Sequence, residues 1–315
     1  MGDLTTFIDL FCGIGGFRLA LEQRGLQCVF SSEINPRTQE VYEANFGERP
    51  HGDIREIPGE KIPPHDILCG GFPCQSFSVS GKMEGLDSEN GKLFYDIVRI
   101  AKFHQPKLLL LENVRAIMSI NGGKVLATID ELFHEMGYKI YRHVLNASFY
   151  GIPQARFRVY FVAVRQDLPF ISHFPVPTQE EIYLEDVLEE NVEEWLYIKR
   201  DDIVFDQREI AAQKAMHPLR IGYFGKKSKE GKPYQHSKIY SPLGHATTVM
   251  TDRRGGSTYE IGDRVRCLSL NETRKVMGFP DHHILSPGRT AAYEQLGNAV
   301  IPKMVGHIYD AIVTG

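Results

Sequence analysis

Through the first 165 residues, short continuous apolar runs alternate with stretches whose apolar residues recur at helical spacing. The runs at 6–11, 28–32, 66–69, 107–111 and 159–164 read as strands. Between them, Phe17, Ala20 and Leu21 share a helical face that stops near Gly25, and Pro36 opens a second helix. Phe94, Ile97, Val98 and Ala101 mark a third helix; Val125, Ile129, Leu132, Phe133 and Met136 mark a fourth. Such alternation predicts an α/β sandwich on a mainly parallel sheet, with its sites beyond the carboxyl ends of the strands. A helical stretch at 301–312 is expected to return to this domain.

The pattern breaks near residue 180. Eight carboxylates fall between Gln179 and Ile198 with no Lys or Arg, which reads as a solvated helix or linker face. Then the sign reverses. Residues 214–254 hold nine basic side chains against two acidic ones, interleaved with Tyr223, Phe224, Tyr234, Tyr240 and glycines. That composition suits either a solvated, irregular β surface or a module that reads nucleic acid. The net charge of −4 over 315 residues gives no global pull toward a polyanion, so any such surface is local. Five cysteines, irregularly spaced, argue against a disulfide framework and a zinc site, and fit a reduced compartment. The apolar runs are too short to cross a bilayer.

Three segments carry candidate chemistry. Asp9 to Phe17 places Gly13, Gly15 and Gly16 between a strand and a helix, where a ligand can approach the backbone and meet helical N–H groups. The spacing is not that of a dinucleotide fingerprint, yet Glu33 ends the next strand at the distance where a carboxylate meets a ribose. A nucleoside-bearing cofactor without a pyrophosphate fits both facts. Gly70-Gly71-Phe72-Pro73-Cys74-Gln75 then puts a lone thiol at a strand-end turn, ahead of a polar, glycine-rich stretch suited to a lid. Glu112 closes an apolar strand and is either paired with a cation or poised for acid–base work. Arg156 and Arg158, on alternate positions entering another strand, could pair with it or hold an anionic or carbonyl oxygen.

Taken in order, these segments resemble the bacterial DNA cytosine-C5 methyltransferases of restriction–modification systems. The resemblance rests on 7–17, Pro73-Cys74-Gln75, Glu112-Asn113-Val114, 154–158, 274–280 and 295–300, and spans nearly the whole chain. It implies a class I S-adenosylmethionine-dependent methyltransferase fold, Rossmann-like with a mixed, mainly parallel sheet, carrying a smaller, irregular β-rich target-recognition domain. Residues 1–186 and 297–315 would form the catalytic and cofactor-binding domain, 187–270 the recognition domain and 271–296 a hinge. It further implies that Cys74 adds to C6 of a flipped cytosine and that Glu112 grips the N3 and N4 edge. Arg158 would hold O2, and Arg156 would help position Glu112 or the neighbouring backbone. Cofactor contacts would come from Phe11, Gly13, Ile14, Gly16, Glu33, Ile34, Asp53, Ile54, Pro73, Leu93, Asn298 and Ala299. Gln75, Ser78, Ser80, Gln235, Arg253 and Arg254 would meet DNA. Two departures stand out: Ile34 where relatives often carry a tryptophan, and Ala299 where a serine is frequent.

The resemblance also implies S-adenosyl-L-methionine as cofactor, S-adenosyl-L-homocysteine as product, no metal and no membrane. Double-stranded DNA would be the partner of a monomer, in the bacterial cytoplasm at the nucleoid. A cognate restriction endonuclease would share the target site without a stable complex. A tRNA-directed relative typically lacks a recognition segment as long as this one. An inactive DNA-binding protein would be expected to have lost Cys74 or Glu112, and a nicotinamide oxidoreductase gives no reason for either.

Overall fold

The computed structural model describes residues 4–72, 89–168, 173–178, 180–209, 213–252 and 254–314, with the side chains of 89–92 excepted. Contacts divide the chain into two units: Met1–Leu145, Phe157–Val176 and Met304–Gly315 form the first, Asn146–Arg156 and Pro177–Lys303 the second.

The first unit is built on six strands: β1 (Thr6–Leu10), β2 (Gln27–Ser32), β3 (Ile67–Gly71), β4 (Leu108–Val114), β5 (Tyr138–Asn146) and β6 (Phe157–Arg165). Their order is β2-β1-β3-β4-β6-β5. The four strands β2, β1, β3 and β4 run parallel, and β6 pairs antiparallel to β4. Helices α1 (Gly16–Glu22), α2 (Pro36–Phe46), α3 (Glu89–His104) and α4 (Lys124–Glu135) follow the first four strands in turn. Leu108 to Leu111 and Val159 to Val164 are buried at every position, as strands covered on both faces must be. Pro36 at the first turn of α2 behind Asn35, whose side chain accepts from Arg37 and Thr38 N–H, explains that helix start. The C-terminal helix α7 (Pro302–Thr314) belongs to this unit from Met304, and Arg24 and Asp310 form a bidentate pair at 2.6 Å.

β5 has no counterpart in the sequence pattern. Its nine residues bury only Tyr138, Leu145 and Asn146, because it is an edge strand with Lys139, Arg142 and His143 between its apolar positions.

The second unit carries β7 (Ile203–Phe205), β8 (Leu219–Phe224), β9 (Lys238–Ser241), β10 (Thr258–Ile261) and β11 (Arg264–Arg266), followed by α5 (Leu270–Val276) and α6 (Arg289–Asn298). The sheet order is β11-β10-β9-β8-β7, over a small core of Ile221, Ile239 and Val265. The acidic stretch keeps six of its eight carboxylate residues exposed, as a solvated linker face would, and forms no α-helix among its described residues. It forms two short 3-10 turns, and its carboxylates find distant partners: Glu185 with Lys214 at 2.6 Å, Glu194 with Arg264 at 2.9 Å, and Glu189 with Asn271 at 2.9 Å. No helix among the described residues is long and apolar enough to cross a membrane.

Candidate active site

The chain leaves β1 for β2 on one side and returns to β3 on the other, which makes the carboxyl ends of β1 and β3 a topological switch point. Here the glycine turn has unusual backbone. Phe11, Gly13 and Gly15 all have positive φ, and a Cβ on Gly15 would run into the Phe46 ring. The turn exposes an N–H that a carboxylate takes: Gly13 donates to Glu33 Oε2 at 3.1 Å, and Asn35 N–H to Oε1 at 2.9 Å. Burial raises the Glu33 carboxyl above its ordinary pKa, opposed by those N–H donors. Ile34, next along, is 62% exposed, an apolar side chain presented to solvent beside a carboxylate.

The second half of the site lies where β3 and β4 end. Gly71 pairs with Glu112, and a Cβ on Gly71 would sit 3.6 Å from Glu112 Oε2. On the other side of β4, Val114 is opposite Arg158 and Glu112 opposite Tyr160, so Glu112 and Arg158 are diagonal neighbours on one face. Their side chains close at 3.0 Å, Nε to Oε1, with 15% and 13% of each exposed. Asn113 points to the opposite face and donates its amide to the Phe72 carbonyl at 3.1 Å, both groups buried. The last described residue before Pro73-Cys74 is therefore fixed by the residue next to Glu112.

Cys12, Cys28, Cys69 and Cys267 are buried free thiols. Burial pushes Cys28 up to about 12 and Cys267 up to about 11, and drives Cys12 and Cys69 well above the ordinary thiol range. Asp9, opposite Cys69 in the sheet and fully buried, is driven well above the carboxylate range by burial.

This arrangement has known counterparts. The profile of C-5 cytosine-specific DNA methylases matches residues 5–314. The chain belongs to that family. Among its relatives, the type II methyltransferase M.HhaI of Haemophilus parahaemolyticus is 41% identical over 310 residues, covering 96% of this chain and 92% of the relative. M.MspI of a Moraxella species is 38% identical over 314 residues, 97% and 70% of the two chains. Among solved structures, the Entamoeba histolytica methyltransferase EhMeth superposes with a TM-score of 0.77 at 19% identity, covering 99% and 98%. Dnmt2 of S. pombe gives 0.73 at 19% identity, covering 99% of each chain. The protein is thus a DNA cytosine-C5 methyltransferase, in a family whose methyl donor is S-adenosylmethionine and whose substrate is double-stranded DNA.

Within this methylase fold, Arg156 is expected to help position Glu112 or the neighbouring backbone, and the bonds seen for it run to backbone carbonyls. It is 3% exposed and donates to the carbonyls of Gly297 at 2.9 Å, Ala299 at 3.0 Å and Val249 at 3.4 Å, clamping the second unit. Arg158 is the residue that pairs with Glu112 at 3.0 Å. Gln154 acts beside Arg156, donating to Val276 O at 3.1 Å and accepting from Val249 N–H at 3.0 Å. Ile14 and Ile54 are buried, and Leu93 packs half-buried on the core. Asp53 already accepts from Arg55 at 2.5 Å, which holds its carboxyl below the usual range. In the second unit, Asn298 ends α6 exposed, and Ala299 is buried. Gln235 is tied to Tyr240 and Lys238 at 3.2 and 2.7 Å, and Arg254 is exposed beside Asp252. Pro73, Cys74, Gln75, Ser78, Ser80 and Arg253 lie outside the described residues.

Proposed function

We propose that this methyltransferase acts on one cytosine within a short, fixed duplex sequence, rotating it out of the stack and attacking it through Cys74. The observation that carries this reading is the Arg158-held carboxylate of Glu112 beside Gly71, where β3 runs on toward Pro73-Cys74. The family resemblance assigns the nucleophile to Cys74, and the burial of the other four thiols, which raises their pKa values, supports that assignment.

Cytosine C5 carries little negative charge, so the ring needs activation. The Cys74 sulfur forms a bond to C6, and the C5–C6 electron pair becomes available at C5. Glu112 binds the N3 and N4 edge, where charge develops, while Arg158 fixes Glu112 and steers O2. After C5 is methylated its proton passes to solvent, the C5–H electron pair restores the C5=C6 double bond and the C6–S pair leaves with the thiolate. When bound, S-adenosylmethionine supplies an electrophilic methyl on sulfur. The residues at the switch point fit that group: the open glycine turn accepts close backbone approach, Glu33 suits a ribose diol, and exposed Ile34 offers apolar contact without stacking. Phe11, Gly13, Gly16, Glu33 and Ile34 would hold it.

Sequence reading is assigned to the second unit. Lys226, Lys227, Lys229, Lys232 and Tyr234, between β8 and β9, are all exposed, with the Lys227 ammonium 4.6 Å from the Tyr223 ring. The same reading has the protein act as a cytoplasmic monomer, with any cognate endonuclease sharing its site but not its surface.

The test is base-resolution mapping of methylcytosine after incubation with S-adenosylmethionine and unmethylated bacterial genomic DNA. Cys74→Ser and bulk tRNA run alongside. Modification of one cytosine in a recurrent short sequence, lost in the variant, is expected. Methylation confined to tRNA would overturn the DNA assignment.

A further inference from the structure

Arg115 follows β4 directly, three residues beyond Glu112, and its guanidinium lies over the Phe157 ring at 5.4 Å from the centroid. Both side chains are exposed, Phe157 by 42%. Next to them, Arg158 donates to the Phe157 carbonyl at 2.9 Å while its Nε holds Glu112. The Glu112 carboxylate is thus engaged by Arg158. Among the described residues, no carboxylate is paired with Arg115. A cation held over an aromatic ring and left without a counter-ion is organised for an anion from outside the chain.

The geometry points to Arg115 as a phosphate-binding residue for the DNA strand entering the site, with Phe157 as the platform that aims it. Strand alternation separates this pair from the catalytic one: Arg158 faces Glu112, so Phe157, one residue earlier, faces away. Because Arg115 immediately follows Val114, the last residue of β4, the platform stays at the strand end that carries Glu112 and would address the backbone beside the extruded nucleotide, where a fixed phosphate offsets the cost of unstacking. This inference rests on the DNA reading above, and adds to it a residue outside the six segments that carry the family resemblance.

Anisotropy titrations of the full-length protein would use a labelled duplex carrying the mapped site, over about 50 to 300 mM salt, where each phosphate contact contributes a slope of roughly 0.9 in log K against log salt. Arg115→Gln is expected to lose about one such contact in slope and roughly 5- to 10-fold in affinity at ~100 mM salt, a loss seen in KM for DNA. Arg115→Lys should keep the slope. Phe157→Leu should weaken binding about threefold with the slope retained, since the charge stays and only its aim is lost. An Arg115→Gln protein with wild-type slope and affinity overturns the inference while leaving the DNA reading intact. A wild-type protein that methylates no DNA overturns both.

Discussion

Asn113 sits between Glu112 and the end of β4, and its amide is fixed on the Phe72 carbonyl at the mouth of the nucleophile segment. Asn113→Ala removes a buried hydrogen bond, which costs about 0.5–1.5 kcal/mol of stability, and releases the chain just past β3. A misplacement of about 1 Å is enough to lower kcat by roughly 10²-fold. Single-turnover methylation should show that loss, with S-adenosylmethionine affinity unchanged in calorimetry; a change of affinity alone would refute the assignment. Glu112 was legible in the sequence because a carboxylate ending an apolar run is chemically out of place. Asn113 was not, since a buried amide and a surface amide read alike. The division of labour between Arg156 and Arg158 was equally hidden. Two arginines two residues apart differ only in their tertiary partners, Gly297 and Ala299 for one and Glu112 for the other.

At the scale of elements, the start of α5 is anchored by a buried ion pair. Arg266 donates both terminal nitrogens to Glu272 at 2.7 and 2.6 Å, and Ser269 and Glu189 N–H groups complete the carboxylate's shell. Both side chains are essentially inaccessible, 1% and 0% exposed. Glu272→Gln leaves a buried guanidinium without its counter-charge and should cost about 3–5 kcal/mol, whereas replacing the pair with Met and Leu should recover most of that. Urea midpoints of the two variants check it; equal losses would show that packing, not charge, anchors the helix. The strands and helices of the first unit were readable where burial is two-sided and the apolar runs are continuous. β5 escaped because an edge strand has no such run. The acidic stretch was legible as an exposed, charged segment, but composition does not report the lysine, arginine and amide, up to 82 residues away, that three of its carboxylates reach.

On the scale of the whole molecule, the α/β class and the order of its chemistry were legible, because they depend on local patterns set in sequence. The allegiance of 146–156 to the second unit was not. Eleven residues carry no composition of their own, and what assigns them is the buried set of bonds from Gln154 and Arg156 to Val249, Val276 and Gly297. The four buried cysteines have a practical corollary. With Cys74 proposed as the reacting thiol, the native protein is expected to behave toward electrophiles as a monothiol: near pH 8 a maleimide should add once per chain, at Cys74, and after unfolding five times. Mass spectrometry counts the additions, and a native count above one would show that a buried thiol is open. On that reading a covalent handle at the proposed nucleophile comes ready-made, and labels placed there would report on substrate and inhibitor occupancy without any engineered removal of the other sulfurs.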